Sequence, residues 1–347
     1  MKNCKKAGII GTGWIAELHA EALKKLNIPI AAVVGHDAER TKAFAQRWNI
    51  PVYGTKTEIL YTADVDTVHI CTPPAAHYDQ IKEAIFHKKH IFCEKPLCLD
   101  PNQAAELADF AEREGLHCAV GFNVRFYQAC QKAREIVSDP AFGKILLIHG
   151  SYLQEFGAEP TQWSWRYEDK MHAVTEIGSH WLDLSSYISG KKVVAASALF
   201  DNFHPLRYKD GNALYCEKAK GREEVAVPSE DVAAIHLRFE DGTIGSVVLS
   251  ELSHGRGNRL FLEITGEKQS LWWNSEENGR LFLAEKGKNP VEYHFDDCFE
   301  DTFVEILRTF YGSNPSRCPN FADGRNNVML CHALWCSNKA NSCWLEV

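Results

Sequence analysis

Between residue 6 and about residue 122 the chain alternates two textures: short apolar runs, and longer stretches in which apolar positions recur every three or four residues. The runs "AGIIG", "PIAAVVG", "VYG", "DTVHIC", "HIFCE" and "HCAVGF" predict strands, with a helix in each interval between them. "IAAVV" and "VHIC" are nearly all apolar, as expected of strands covered on both faces. The alternation therefore reads as βαβ units on a parallel sheet.

After about residue 124 the pattern changes. A helical stretch, "YQACQKAREIVSD", is followed by strand-like segments "KILLIHGSYLQ", "VVAASALF", "EDVAAIHLRF", "TIGSVVLSEL", "RLFLEITG" and "QSLWWN". With "FEDG" as a turn between the third and fourth, they predict a largely antiparallel sheet in an α+β domain. Helical stretches near 299–312 and 322–340 close the chain, and no internal repeat or low-complexity tract interrupts it. A length of 347 residues exceeds what one core usually serves. The expected division is 1–123 and 124–347, with the closing helices able to pack back on the first domain.

Composition narrows the class. Hydrophobic residues at 45%, charged at 24% and aromatic at 11% are those of a soluble globular protein. No run of about 18 apolar residues is present, and "MKNCKKAGIIG" passes from charges straight into a strand, so a cytoplasmic protein without a membrane partner is expected. The 12 cysteines are scattered, with no C-x-x-C pair, and read as reduced and mostly buried thiols. A net charge of -8 without a dense basic block excludes a nucleic-acid footprint. No metal ligands are assigned.

Within "GIIGTGWIAELHAEAL", Gly11 and Gly13 sit between a strand and a helix, with Ala16 in the third position of G-x-G-x-x-A. Glycine permits the tight turn, and a missing Cβ lets backbone approach a pyrophosphate at a helix N-terminus. Gly11, Thr12, Gly13, Trp14 and Ile15 are thus the candidate dinucleotide turn of a Rossmann-type domain. The second strand ends in "VVGHDAER", placing Gly35 where an acid would usually grip the 2′-hydroxyl of NAD. Asp37 lies slightly late for that role. His36 and Arg40 could instead meet the 2′-phosphate of NADP, although Arg40 reads equally as a solvated helix charge. NAD is slightly favoured.

"HIFCEKPLCLD" puts Glu94, Lys95 and Pro96 at the carboxyl end of a parallel strand, the edge at which open α/β sheets bind ligands. "CTPPAAH" ends the preceding strand in the same way, so that Cys71, Thr72 and Pro73 can line the nicotinamide side. His77 starts a helix there, either in contact with the cofactor or as a cap or packing residue. G-x-G-x-x-A, "TPPAAH" and "EKP", followed by an antiparallel domain, resemble the Gfo/Idh/MocA family of sugar and inositol oxidoreductases over essentially the whole chain. The resemblance implies that Lys95 contacts the reacting hydroxyl and the nicotinamide ribose.

In "TEIGSHWLDLSSYISG", Glu176, His180, Asp183 and Tyr187 recur at i, i+4, i+7 and i+11, within about 60° of one another on a helix. Ile177, Trp181, Leu184 and Ile188 form the neighbouring apolar stripe. Taken alone the polar stripe is equally a partly exposed helix face. The family resemblance adds a D-x-G-x-H pattern on this helix, in which His is the general base and Asp orients it; here the pattern is E-I-G-S-H, so Glu176 replaces Asp and His180 is retained. An alcohol cannot release hydride until its proton is taken, imidazole titrates near neutrality, and an ammonium stabilises the developing alkoxide.

"GFNVRF", "GSYLQEF", "WSWRYED" and the late "FADG" look most like the branch of that family acting on glycosides and anhydrosugars. Asn123, Arg125, Tyr152, Gln154, Trp163, Trp165, Arg166, His180 and Asp183 are the substrate-side candidates, with Trp163 and Trp165 also readable as core. Where many relatives carry a glycine-rich turn this chain has "KMHAV", which implies a differently shaped pocket wall. The implied activity is NAD(P)-dependent oxidation of a secondary sugar, anhydrosugar or inositol hydroxyl, such as C3 of a glucoside. The alternatives are a glycoside hydrolase that uses bound NAD transiently and a non-catalytic sugar or nucleotide sensor. The resemblance also implies a homodimer or homotetramer formed through the C-terminal sheet.

Overall fold

The computed structural model describes residues 6–168 and 171–347. Residues 1–5, the start of "MKNCKKAGIIG", and residues 169–170, where "WSWRYED" meets "KMHAV", lie outside the described residues. The chain divides into two compact units: one runs up to Tyr127 and takes in Cys298–Val328, and the other comprises Gln128–Asp297 and Met329–Val347.

The first unit is built from β1 (Ala7–Ile10), α1 (Trp14–Lys25), β2 (Ile30–Val34), α2 (Ala38–Trp48), β3 (Val52–Gly54), α3 (Glu58–Thr62), β4 (Thr67–Ile70), α4 (His77–Phe86), β5 (His90–Cys93), α5 (Pro101–Arg113) and β6 (Cys118–Val120). Among the described residues these strands form one parallel sheet in the order β3-β2-β1-β4-β5-β6, the doubly wound order of dinucleotide-binding domains. Successive strand residues go to opposite cores: Ile10, Val34, Ile70 and Cys93 pack on one face, Ile9, Val33 and Phe92 on the other. Carboxylates cap the starts of two helices. Asp37 accepts the Arg40 backbone N–H at 2.8 Å and caps α2; Asp100, followed by Pro101, accepts from Asn102 and Gln103 at 2.8 and 3.0 Å and caps α5.

The second unit holds α6 (Gln128–Ser138) and α7 (Ser179–Ser189). Its main sheet, among the described residues, runs in the order Val291–His294, Arg280–Glu285, Gln269–Asn274, Arg259–Gly266, Ile145–Leu153, Ile244–Ser250, Val232–Phe239, Val193–Asp201 and Leu345–Glu346. Every neighbouring pair is antiparallel except Ile145–Leu153 with Ile244–Ser250. A second, small sheet of Thr161–Gln162, Leu206–Asp210, Ala213–Tyr215 and Glu223–Ala226 escapes the sequence reading, because these strands are short and mostly polar.

The two closing helices bear on the expected division, which allows them to pack back on the first domain. α8 (Phe299–Tyr311) belongs to the first unit, where Phe303, Ile306, Leu307 and Phe310 enter the core that holds Ala16, Leu23 and Phe92. The span 124–347 is therefore not one consecutive domain. α9 (Phe321–Lys339) is shared, with residues up to Val328 in the first unit and those from Met329 in the second. Among the described residues no helix is long and apolar enough to cross a membrane.

α7 is preceded by a π turn, Val174–Gly178, so Glu176 does not stand at α-helical spacing from His180 as the sequence pattern implies. Gly178 lies where a Cβ would come within 2.6 Å of Leu249, and Trp181 donates to the Phe261 carbonyl at 3.0 Å. Ile177, Trp181, Leu184 and Ile188 are all buried, as their stripe predicts. The buried Glu230 carboxylate holds the start of this segment, accepting the backbone N–H groups of His172 (3.1 Å) and Val174 (2.9 Å).

Gly11 closes the β1–α1 turn at φ +112°, and a Cβ there would stand 2.4 Å from the Cys71 carbonyl oxygen. Gly11→Ala should therefore lose ~1–3 kcal/mol in urea unfolding, while Gly13→Ser should stay within about 0.5 kcal/mol of the parent; equal stability of Gly11→Ala would contradict the close approach. Burial pushes the Glu230 carboxyl up to about 7 from an ordinary 4.5. With the folded-state value raised, the stability contributed by this group is fully present below about pH 4.5 and is lost as pH rises through about 7. Glu230→Gln removes that term, so the parent should lose stability relative to the variant between about pH 5 and pH 8; parallel urea midpoints across this range would refute the assignment.

Candidate active site

The candidate residues of the first unit gather at the carboxyl edge of the parallel sheet, on the loops that follow β1, β2, β4, β5 and β6. The two glycines of the first loop differ in kind. Gly11 is demanded by backbone geometry, whereas a Cβ on Gly13 would meet nothing within 4 Å. Gly13 is also the N-cap of α1 and supplies no side-chain hydrogen bond to the first turn, whose N–H groups at Trp14, Ile15 and Ala16 have no intrahelical acceptor. An open, Cβ-free approach to a helix N-terminus is what a dinucleotide pyrophosphate requires. Trp14 is two-thirds exposed and stacks on Phe299 at 6.1 Å.

After β2, Gly35 packs so tightly that a Cβ would lie 2.5 Å from Thr41 Oγ1 and 3.0 Å from Thr12 Cγ2. That contact explains why no acid stands here. His36, Asp37 and Arg40 are exposed beside it, with Asp37 engaged as the α2 cap. After β4, Pro73 is exposed, and the Thr72 hydroxyl donates to Gln80 at 2.6 Å. Cys71 is buried, and burial together with Glu94 pushes its thiol up.

His77 is fully buried, with Nδ1 2.9 Å from the Pro96 carbonyl and Nε2 2.8 Å from the Thr72 carbonyl. It ties the loop carrying Thr72 to the loop carrying Lys95, in keeping with the packing role the sequence allows. Glu94, only 7% exposed, sits against His19 Nε2 at 2.9 Å and accepts weakly from the Lys95 backbone N–H at 3.4 Å. Gly121 approaches it so closely that a Cβ would come within 2.6 Å of the carboxylate.

Asn123 and Arg125 each engage a protein partner. Both are buried within the first unit: Asn123 donates to Thr302 Oγ1 at 2.8 Å, and Arg125 pairs with Asp323 at 3.3 Å. The "NVRF" and "FADG" segments thus brace each other as structure. Nothing in the pattern of either segment announces that pairing.

In the second unit the candidates line the π turn, α7 and the end of the strand Ile145–Leu153. Arg166 Nε donates to Glu176 Oε2 at 2.7 Å and its guanidinium covers the Trp165 ring at 4.6 Å. Glu176 therefore answers to Arg166, a partner the D-x-G-x-H comparison does not suggest. His180 is half-buried and Asp183 is buried on the same helix. Tyr152 donates to Asn258 at 2.7 Å, and Gln154 donates to the buried Glu251 at 2.7 Å. Burial, then Glu251, push the Tyr152 phenol up, which keeps it a neutral donor. Trp163 stacks on the fully buried Tyr167 at 6.1 Å beneath Lys209, which favours its core reading. Within "KMHAV", burial drives His172 down to about 4, so this imidazole stays neutral near pH 7. Glu251, Glu230, His172 and Asn258 were not foreseen, because their roles depend on pairings across distant strands.

Residues 5–122 match an oxidoreductase family described by its NAD-binding Rossmann fold, and residues 130–272 match the GFO/IDH/MocA C-terminal domain. The levoglucosan dehydrogenase of Pseudarthrobacter phenanthrenivorans is 28% identical over 294 residues, spanning 80% of this chain and 75% of that protein. The myo-inositol 2-dehydrogenase of Thermotoga maritima is 25% identical over 331 residues, spanning 93% of this chain and 92% of that protein. A solved levoglucosan dehydrogenase, in complex with NADH and L-sorbose, shares the fold with a TM-score of 0.89 at 23% identity over 99% of this chain and 98% of that one. With both halves matched in order on a doubly wound parallel sheet and a mainly antiparallel one, the chain belongs to the Gfo/Idh/MocA family of oxidoreductases.

Proposed function

We propose that the protein is a dehydrogenase that uses NAD to oxidise a secondary hydroxyl of a sugar, anhydrosugar or inositol to a ketone. The observation that carries this reading is the open approach at Gly13, on a family-matched Rossmann sheet that also bears Lys95 at its carboxyl edge. NAD supplies the hydride acceptor when bound. Gly13 and the first turn of α1 would hold its pyrophosphate, with Pro73 and Thr72 on the nicotinamide side. NAD is preferred to NADP because Asp37, exposed just after β2 though engaged as a cap, would offer its carboxylate to the ribose.

In this reading His180 takes the proton from the substrate hydroxyl and the Lys95 ammonium stabilises the oxygen as its charge develops. Glu176 is a positioning residue, itself held by Arg166. Tyr152, Gln154, Trp165, Arg166 and Asp183 are the candidates for the sugar, which presents apolar ring faces and a polar rim. His180 and Lys95 both being present favours catalysis over sensing; redox-assisted glycoside hydrolysis is separated by whether NADH is released stoichiometrically. The apolar face of the large sheet, where Leu199, Ile244 and Val248 are 62%, 59% and 45% exposed, supports pairing of two or four copies.

The direct test is a panel of levoglucosan, myo-inositol and methyl glucosides with NAD or NADP, followed by absorbance of the reduced cofactor. Gly13→Val should weaken NAD binding by at least about tenfold in calorimetry while unfolding as the parent does, since its branched side chain enters the open approach. Unchanged affinity would remove the pyrophosphate from this turn. His180→Ala should lower kcat by about 10² to 10⁴ with NAD binding intact, and Lys95→Ala should also lower it. The double variant should lose less than the product of the single losses, because both groups serve one oxygen; full multiplicativity would separate their roles. Glu176→Gln should cost less than His180→Ala, and the reverse order would make Glu176 the base.

A further inference from the structure

Glu230 and Asp231 stand side by side in the second unit, just before the strand Val232–Phe239, and both are buried, at 5% and 2% exposed. Each holds a different neighbour. Glu230 Oε1 accepts the His172 and Val174 backbone N–H groups at 3.1 and 2.9 Å, and the Glu230 carbonyl accepts more weakly from Ala173 at 3.5 Å, so three successive residues are tied to one. Asp231 Oδ1 accepts from Arg207 Nη2 at 3.2 Å, and Arg207, fully buried, lies 5.4 Å from the centre of the Tyr167 ring. Tyr167 in turn meets the His172 ring at 5.1 Å. Apolar residues would fill this space without desolvating two carboxylates and a guanidinium, so the dipeptide calls for a reason beyond packing.

Followed outward, both sets of contacts end on one pair. Glu176 lies two residues past Val174 in the π turn, and Arg166 immediately precedes Tyr167. Arg166 Nε donates to Glu176 Oε2 at 2.7 Å. Glu230 therefore fixes the backbone that leads to the carboxylate, while Asp231, through Arg207 and Tyr167, fixes the residue beside the guanidinium. α7 continues without a break from Gly178 into Ser179, so the start of the helix that bears His180 has the same anchor. His172 lies between the two arms, in the field of Glu176 and Arg166 as well as of Asp231 and Arg207.

We propose that Glu230 and Asp231 are positioning residues, which hold the Arg166–Glu176 pair and the start of α7 where the proton acceptor His180 needs them. The use made of that geometry rests on the dehydrogenase reading. The mechanical coupling does not, and it can be read without cofactor or sugar. An ionised carboxylate accepts more strongly than a protonated one, so a charge change at Glu230 should move the turn that it holds. The charged groups around it are Asp231 and His172, with Arg207 behind the first, Glu176 and Arg166 beyond the second, and Glu251 joined by its backbone N–H to the Asp231 carbonyl at 3.0 Å. Burial raises Glu230 to about 7 and drives His172 down to about 4, so the two change charge in separate ranges.

In ¹⁵N-labelled protein titrated between about pH 5 and pH 9, the His172 and Val174 amides and the Arg166 Nε–H should share an inflection at about 7 that Glu230→Gln abolishes, while the His180 imidazole, an independent titrating group, keeps its own in that variant. An Arg166 Nε–H that ignores the inflection, or the absence of a shared one, would overturn the proposal. In turnover of whichever panel sugar is oxidised, Glu230→Met, which removes the acceptor, should lower kcat by roughly tenfold or more at unchanged KM for NAD; Glu230→Gln, which keeps an acceptor oxygen, should hold kcat within about threefold of the parent. Parental kcat in a folded Glu230→Met, or a Gln variant no better than Met, would equally overturn it. The titration needs only the isosteric Gln variant, so a Glu230→Met that fails to fold leaves the test intact. If no panel sugar is oxidised, the dehydrogenase reading fails and the titration alone decides the coupling.

Discussion

A carboxylate taken out of water at the end of a parallel strand must find hydrogen-bond donors or give up its charge. Glu94 is that carboxylate, and groups from three parts of the first unit are arranged around it. His19 reaches it from the second turn of α1, the Lys95 N–H lies beside it, and Gly121 has no side chain because the carboxylate occupies the space a Cβ would need. Since Lys95 is the next residue in the chain, whatever holds Glu94 also sets the path of the backbone that carries the candidate ammonium. His77 secures the same loop from the other side through the Pro96 carbonyl. The candidate lysine is thus carried on a loop held at two buried points.

The second unit solves a related problem differently. Its candidate base stands on α7, but the turn leading into that helix is π-helical and irregular, a geometry that leaves backbone groups in need of partners. The buried Glu230 carboxylate takes two of them, and Leu249 closes over Gly178. Arg166 then draws the Glu176 carboxylate to one side. Glu176, one methylene longer than an aspartate, stands on this irregular turn with a guanidinium partner.

The fold was largely legible in the sequence. Strands such as "IAAVV" and "VHIC" are apolar on both sides, and the turns between them carry capping acids at Asp37 and Asp100, so local preference and burial point to the same element. The small sheet of Leu206–Asp210 and its neighbours was not legible, because short polar strands leave no period to detect. Among site residues, the glycine turn and the loop of Lys95 could be placed because each lies at a strand end within one βαβ unit. Asn123 and Arg125 could not be placed: their partners Thr302 and Asp323 lie nearly two hundred residues downstream, and a polar side chain reads the same whether it faces a sugar or a buried brace.

By itself, then, the sequence determined those features that depend on neighbours along the chain: the alternation of strands and helices, the caps, the positive-φ glycine at residue 11 and the apolar stripe of α7. Only the tertiary structure decided which polar groups meet. His19 and His69 are separated by 50 residues, and His69 and Tyr311 by 242, yet each pair lies within hydrogen-bond distance. Each of these side chains is compatible with its own helix or strand in many surroundings. Its partner is chosen by how the sheet and helices pack, because a hydrogen bond over less than 3 Å depends on the placement of both elements, which no local pattern encodes.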